Sequence, residues 1–231
     1  FKYSTGLKMT SERFSKLFGN KPRNPEKEKL TQFHMDIASS IQSVTEDVML
    51  KITNSLASEY KIKNLCLAGG VALNCVANGK ILRNGKFENI WIQPAAGDAG
   101  GSLGAALGLW HIELKKNRTI NNKDSMNGSY LGPEYSQDEV EKKLKELGAN
   151  FEVLDNEQLI EKTALELSNG KAVGWFQGRM EFGPRALGCR SILGDARSEN
   201  MQKTLNLKVK YRESFRPFAP SVIREDLPTW F

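Results

Sequence analysis

The chain has 231 residues, 39% of them hydrophobic and 26% charged, and a formal net charge of +6. That length holds one large domain or two ordinary ones with ample core. No window carries the ~18 consecutive apolar residues of a membrane span, and no basic segment precedes an apolar one at the start, so a cytoplasmic protein without a membrane partner is expected.

Phe1 is not an initiator methionine and the sequence stops at Thr229-Trp230-Phe231, which reads as a fragment of a longer gene product. Residues 1–31, with Pro22 and Pro25, show no clear period and read as irregular or partly helical. From Phe33, apolar residues recur at Ile37, Ile41, Val44, Val48, Ile52 and Leu56, a stripe that predicts a long core-facing helix. Asn64–Ala68 then reads as a strand, Gly69-Gly70 as a turn and Val71–Leu82 as a helix. Ile90-Trp91-Ile92, the loop from Pro94 to Gly101 and the Ala/Leu-rich Ser102–Leu114 repeat that order. Two βα units in succession imply an α/β layer structure.

Residues 116–129, rich in Asn, Ser, Lys and Asp, predict a linker between domains. Beyond it, Ser136 with Glu139 predicts a capping box and a helix to about Leu147. Phe151–Leu154 predicts a strand, Glu157–Leu167 a helix, and Ala172–Phe176 a buried strand. The second region is therefore also α/β, and it reads as cut short at Phe231.

Three cysteines, Cys66, Cys75 and Cys189, lack CxxC spacing and read as reduced thiols, Cys66 as a core residue in its apolar run. Cys189 reads as a small filler, with a lowered pKa as the alternative. His34 and His111 are the only histidines, too few for a triad or a His-rich metal site, and His34 reads as a surface or capping residue.

Three motifs could carry chemistry. The run Leu67-Ala68-Gly69-Gly70-Val71-Ala72-Leu73-Asn74 places two glycines between strand and helix, where a phosphate can lie against the backbone at a helix N-terminus. A plain tight turn is the competing reading, with Asn74 and Asn78 favouring a nucleotide. In Gln93-Pro94-Ala95-Ala96-Gly97-Asp98-Ala99-Gly100-Gly101-Ser102, small residues flank Asp98, which suits either a metal ligand or a turn or N-cap residue.

The third motif is the most distinctive. From Gly178 to Ser191, Arg179, Arg185, Arg190 and Glu181 stand among glycines, where planar guanidinium forks and open backbone N–H groups suit phosphate or carboxylate oxygens. Its continuation carries Asp195, Arg197, Lys208, Lys210, Arg212, Glu213 and Arg216. Between Arg179 and Arg216 nine Lys and Arg face four acids, a local surplus of +5. Nucleic-acid surfaces favour lysine runs with exposed aromatics, whereas arginines alternating with Gly, Pro and small apolar residues suit a pocket. Glu181, Asp195 and Glu213 are expected to pair some of the arginines and fix their rotamers.

These motifs, in this order, resemble the ATP-dependent O-carbamoyltransferases of nodulation-factor and antibiotic biosynthesis. The matching stretches are Asp36–Gln42, Leu65–Asn78, Gln93–Ala106, Phe182–Arg197 and Phe215–Ser221, which touch most of the chain from about residue 33 to 222. The resemblance implies an α/β fold in which residues 1–115 form the second half of an actin and sugar-kinase-like (ASKHA) domain. Residues 116–129 are then the linker, and 130–231 most of a YrdC-like domain. It implies a reaction that uses carbamoyl phosphate and ATP to make a carbamoyl adenylate and then passes the carbamoyl group to a hydroxyl of a small acceptor.

On the same resemblance Gly69, Gly70 and Asn74 lie at the nucleotide and Asp98 is a ligand of a divalent metal, iron or magnesium. Arg179, Arg185 and Arg190, with Lys208, Lys210, Arg212 and Arg216, hold carbamoyl phosphate and the adenylate. Clustered cations suit such a transfer, since charge builds in its transition state. The family's HxxxH metal pair has no match here. The chain is therefore expected to bind little or no metal and to lack transferase activity by itself, and a homodimer is left open. Two other readings stand beside this one: a YrdC-like RNA-binding module, marked by RNA affinity that falls steeply with salt, and an actin-like sugar or acyl kinase, which leaves the arginine loop unexplained.

Overall fold

The computed structural model describes residues 10–120 and 123–230; residues 121 and 122 of the expected linker lie outside them, as do Phe1–Met9 and Phe231. The protein is mixed α/β, with helices and two small two-stranded sheets. It packs as two compact units. One holds residues up to Leu65 together with Asn74–Ile90, and the other holds Cys66–Leu73 together with the residues from Trp91 onward. Among the described residues no helix is long and apolar enough to cross a membrane.

In the first unit, α1 (Glu12–Phe18) ends on Gly19 at φ +72, and α2 (Gln32–Tyr60) follows Thr31. His34 is a capping residue: its Nδ1 accepts the Thr31 N–H at 3.1 Å. The 29-residue α2 has the length its sequence stripe predicts, but not the orientation. Ile41, Val44, Val48, Ile52 and Leu56 are all exposed, Ile41 by 58%, whereas Glu46 (8%) and Thr53 (2%) are buried. The face that packs on α3 (Cys75–Arg83) is held by polar bonds instead. Gln42 Nε2 donates to Glu46 Oε1 (2.8 Å) and to Asn74 Oδ1 (3.1 Å), Asn74 Nδ2 donates to Gln42 Oε1 (2.8 Å), and Lys80 pairs with Glu46. The hydrogen bonds from Lys80 and Gln42 hold the Glu46 carboxyl below its ordinary range. Periodicity reports which face is apolar, and here that face has no cover among the described residues.

The strands β1 (Asn64–Leu67) and β2 (Asn89–Ile92) form the first sheet. Within the first unit the Glu88 N–H reaches the Lys63 carbonyl at 2.8 Å, and within the second the Gln93 N–H reaches Leu67 at 3.1 Å. Partners that advance together in this way make the pair parallel. Cys66 is exposed rather than in the core, because residues alternate across a strand and its neighbour Leu65 takes the buried side. The predicted helix at Val71–Leu82 is divided: Gly70–Leu73 is a 3-10 turn, and α3 begins after Asn74, whose Oδ1 accepts the Ala77 N–H as an N-cap.

In the second unit, α4 (Asp98–Gly108) starts four residues before the predicted Ser102 and runs into a π-helical turn, Leu109–Glu113. At the end of the predicted linker, Asn127–Ser129 forms a 3-10 turn with Ser129 fully buried. The helix α5 (Gln137–Glu146) carries the predicted capping box between Ser136 and Glu139, and α6 (Asn156–Ser168) has a second one between Asp155 and Gln158. Phe151–Leu154 is not a strand, since among the described residues no neighbouring strand satisfies its backbone, and Val153 is exposed.

The strand β3 (Val173–Phe176) is half-buried rather than buried, with Phe176 56% exposed. It pairs antiparallel with β4 (Arg190–Leu193), which the sequence reading did not separate from the arginine loop. The chain ends through α7 (Met201–Thr204), a π-helical turn at Leu205–Val209, a 3-10 turn at Arg224–Asp226 and α8 (Leu227–Trp230).

Candidate functional site

Three sequence motifs meet in the second unit at one buried dipeptide, Ala95-Ala96. The Gly69 N–H donates to the Ala96 carbonyl at 2.8 Å, which ties down the glycine turn. Gly100, in the first turn of α4, lies so close to Ala95 that a Cβ there would stand 2.2 Å from the Ala95 carbonyl oxygen. Gly183, at φ +114, packs on the same residue: a Cβ on it would stand 3.0 Å from Ala95 Cβ and 3.2 Å from its Cα. Gln93 fixes the dipeptide's entry, its Oε1 accepting the Ala95 N–H at 3.1 Å. Gly100 and Gly183 are thus needed for backbone to approach backbone, whereas Gly69, with nothing within 4 Å of an added Cβ, is needed for its φ of +96.

The arginine loop runs from the end of β3 to the start of β4. Phe182 anchors it on Ser129, its N–H donating to the Ser129 carbonyl (2.7 Å) while Ser129 Oγ donates to the Phe182 carbonyl (2.6 Å). Tyr130 Oη donates to the Leu187 carbonyl (3.0 Å), and the Met180 N–H donates to Pro133 (2.9 Å).

The three arginines of the loop have different surroundings. Arg179 donates to the Gly132 carbonyl and pairs with Glu134, each at 2.9 Å. Arg190 faces Phe176 across the β3–β4 register, its guanidinium 3.4 Å from the ring centroid, and its Nη1 donates to the carbonyls of Gln177 (3.1 Å), Gly178 (3.2 Å) and Cys189 (2.8 Å). Its Nη2 is buried with no hydrogen-bond partner among the described residues. Arg185 is exposed and makes no hydrogen bond or ion pair among the described residues.

Glu181 departs from expectation. Among the described residues no arginine side chain pairs with it; its Oε1 instead accepts the backbone N–H groups of Leu187 and Cys189, each at 2.7 Å. The expected pairings do form at Asp195 with Arg197 and at Glu213 with Arg216 (3.0 Å). Arg197 grips Asp195 with Nε–Oδ1 at 2.9 Å and Nη2–Oδ2 at 2.8 Å. That grip, with the Arg197 N–H, lowers the Asp195 pKa from 3.8 to about 2.

A pKa depressed on folding makes the pair's stabilisation complete above about pH 3.8 and lost as pH falls through about 2. The carboxyl carbon of Asp195, followed by NMR, is therefore expected to titrate near 2 in the wild type and to return toward 3.8 in Arg197→Ala. A wild-type midpoint near 3.8 would show that the grip does not persist in solution.

Beyond β4, Asn206 organises the basic segment and carries no mark in the sequence. Fully buried, it donates through Nδ2 to the carbonyls of Ser214 (3.1 Å) and Arg216 (2.8 Å) and accepts Arg212 Nε at Oδ1 (2.6 Å). Arg212 also lies over the Phe218 ring, 5.0 Å from its centroid. The basic segment is thereby wrapped round one amide, and Lys208 and Lys210 stay exposed and without an ion pair among the described residues. No sequence signal singles out an asparagine between two leucines, because its partners, Arg212, Ser214 and Arg216, lie several residues away.

Of the expected nucleotide residues, Gly69 and Gly70 lie in the second unit, while the Asn74 amide in the first is engaged by Ala77 and Gln42. Asp98, the first residue of α4, is exposed. Among the described residues no group of three or more His, Cys, Asp or Glu side chains could hold a metal ion. Asp98 alone is short of the several oxygen donors that a divalent cation takes.

Two family models match the sequence: the carbamoyltransferase N-terminus over residues 1–107 and the carbamoyltransferase C-terminus over residues 164–231. An uncharacterized protein of Synechocystis sp. is 58% identical, across 100% of this chain and 38% of its own length. Nodulation protein NolNO of Sinorhizobium fredii is 42% identical over 87% of this chain and 29% of its own length. Nodulation protein U of Rhizobium fredii is 34% identical over 73% and 26%. The chain thus spans well under half the length of these relatives.

Proposed function

The chain belongs to the carbamoyltransferase family, and from that premise we propose that its second unit holds the anionic donor in an ATP-dependent transfer of a carbamoyl group to a hydroxyl. The observation that carries the reading is the meeting of the three motifs at Ala95-Ala96, with Arg185 the one arginine of the 178–191 loop left free of protein partners among the described residues. A guanidinium without an internal partner keeps its planar donor fork for phosphate oxygens.

In this reading Arg185 binds carbamoyl phosphate, while Lys208 and Lys210 supply further positive charge. Arg179 and Arg190 brace the loop through their carbonyl and Glu134 contacts. Gly69 and Gly70 leave room for the phosphates of ATP. Water releases phosphate from carbamoyl phosphate, and the carbamate oxygen bonds to the α-phosphorus of ATP as pyrophosphate leaves, which gives a mixed anhydride with AMP. The carbamoyl group then passes to the acceptor: the hydroxyl oxygen bonds to the carbamoyl carbon, the bond to AMP breaks and the hydroxyl proton leaves to AMP or solvent. Such an anhydride needs shelter from water. In this reading residues 1–115 are the second half of an ASKHA-type domain and residues 130–231 most of a YrdC-like domain. The longer protein of which relatives of this chain are examples is the proposed catalyst, with a small hydroxyl-bearing molecule as acceptor.

Calorimetric titration of carbamoyl phosphate, and of ATP, into wild type and Arg185→Ala tests this reading. Loss of a charge-assisted contact is expected to weaken carbamoyl phosphate about tenfold or more. Equal affinities would remove the arginine loop from the site.

A further inference from the structure

Glu181 is buried, 5% exposed, at the mouth of the arginine loop. A carboxylate so placed ordinarily needs a cation, yet among the described residues none pairs with it. Its Oε1 collects three backbone N–H groups instead, from Leu187 (2.7 Å), Cys189 (2.7 Å) and Arg190 (3.4 Å). Burial pushes its pKa up, but the N–H donors, Cys189 foremost, outweigh that and hold it below the ordinary carboxylate range.

The geometric consequence concerns the loop more than the charge. The bonds from Leu187 and Cys189 staple position 181 to the far limb and close residues 182–186 into a short loop with Pro184-Arg185-Ala186 at its tip. Gly188, at φ +114, lets the far limb turn its amides inward, and its own N–H donates to Ser191 Oγ (3.2 Å). Gly183 seats the near limb on Ala95. Since Glu181 is engaged by backbone, it leaves the Arg185 charge unneutralised.

We infer that Glu181 is a positioning residue that acts through Arg185: its carboxylate holds the 182–186 loop in the curvature that presents the guanidinium to the phosphate of the carbamoyl donor. The inference rests on the reading of Arg185 as the anion ligand. A loop free to open would lose ordering entropy each time it bound, whereas a stapled loop is ordered beforehand.

The test is calorimetric titration of carbamoyl phosphate into the full 231-residue chain, as wild type, Arg185→Ala, Glu181→Ala, Glu181→Gln and the Glu181→Ala/Arg185→Ala double variant. Amide spectra confirm that each is folded. Glu181→Ala is expected to weaken binding about tenfold, whereas Glu181→Gln, whose amide oxygen accepts the same N–H groups, stays within about threefold. Because Glu181 acts through Arg185, the double variant is expected to bind within about twofold of Arg185→Ala alone, a coupling that mere destabilisation would not produce.

If Glu181→Ala does not fold, Glu181→Asp, one methylene too short to staple the loop, replaces it in the series with an expected loss of about fivefold. Wild-type affinity in Glu181→Ala beside weakened Arg185→Ala overturns the positioning role alone. So do additive losses in the double variant, or a Gln variant as weak as Ala. An Arg185→Ala variant that binds like wild type overturns the underlying reading and this inference with it.

Discussion

Gly183→Ala and Gly100→Ala are each expected to destabilise the protein by about 3–5 kcal/mol, more than any replacement on its surface. At Gly183 two costs combine. The backbone sits at φ +114, which L residues rarely adopt, and the new Cβ would meet Ala95 Cα at 3.2 Å. At Gly100 the conflict is with backbone alone, since the Ala95 carbonyl oxygen lies 2.2 Å from where a Cβ would stand. Ala95 is fully buried and cannot swing aside without disturbing the Ala96 carbonyl that holds Gly69.

Gly178→Ala is the matched control. Its φ is +51 and no atom lies within 4 Å of the added carbon, so the expected loss is only about 1–2 kcal/mol. Urea unfolding followed by circular dichroism, with unchanged slope, measures all three. Because Gly183 seats the loop that bears Arg185, its alanine variant is also expected to lose carbamoyl phosphate affinity without any change to a charged residue. If the variants at 183 and 100 are no less stable than Gly178→Ala, the convergence of the three motifs on Ala95 is not part of the folded structure.

The sequence made much of this arrangement legible, for identifiable reasons. Double glycines after a strand and a capping box before a helix are local devices, and β1, the Gly69-Gly70 turn, α5 and α6 lie close to where those devices place them. What failed was whatever depended on a distant partner. The stripe on α2 is apolar as read, but burial is decided by what packs on it, and α3 meets the opposite, Gln42–Glu46 side. Phe151–Leu154 has strand composition, but among the described residues no strand pairs with it. Glu181 was read as an arginine partner because opposite charges stood close in sequence. Three amides offered it a nearer and more convergent set of donors.

Asn206 marks the far limit of such reading, and its replacement carries the second large effect. Asn206→Ala is expected to cost about 2–4 kcal/mol, because it removes three hydrogen bonds from a fully buried amide and leaves Arg212 Nε without its acceptor. The segment from Lys210 to Phe218 has no strand or helix to hold it. Its order rests on that amide, on the Arg212 N–H bond to the Asn206 carbonyl (3.0 Å) and on Gln202 Nε2, which reaches the Arg216 carbonyl at 3.1 Å.

Hydrogen exchange separates local from global loss, since the Arg212 and Lys210 amides should lose protection before those of β3 and β4. Asn206→Asp is the sharper variant. It keeps an acceptor for Arg212 but turns a carboxylate oxygen toward the Ser214 and Arg216 carbonyls, so it is expected to be no more stable than Asn206→Ala despite the gained ion pair. If Asp restores wild-type stability, the two carbonyl contacts contribute little and the Arg212 bond alone orders the segment. If neither variant changes exchange at 210–212, Lys208, Lys210 and Arg216 are not positioned through Asn206.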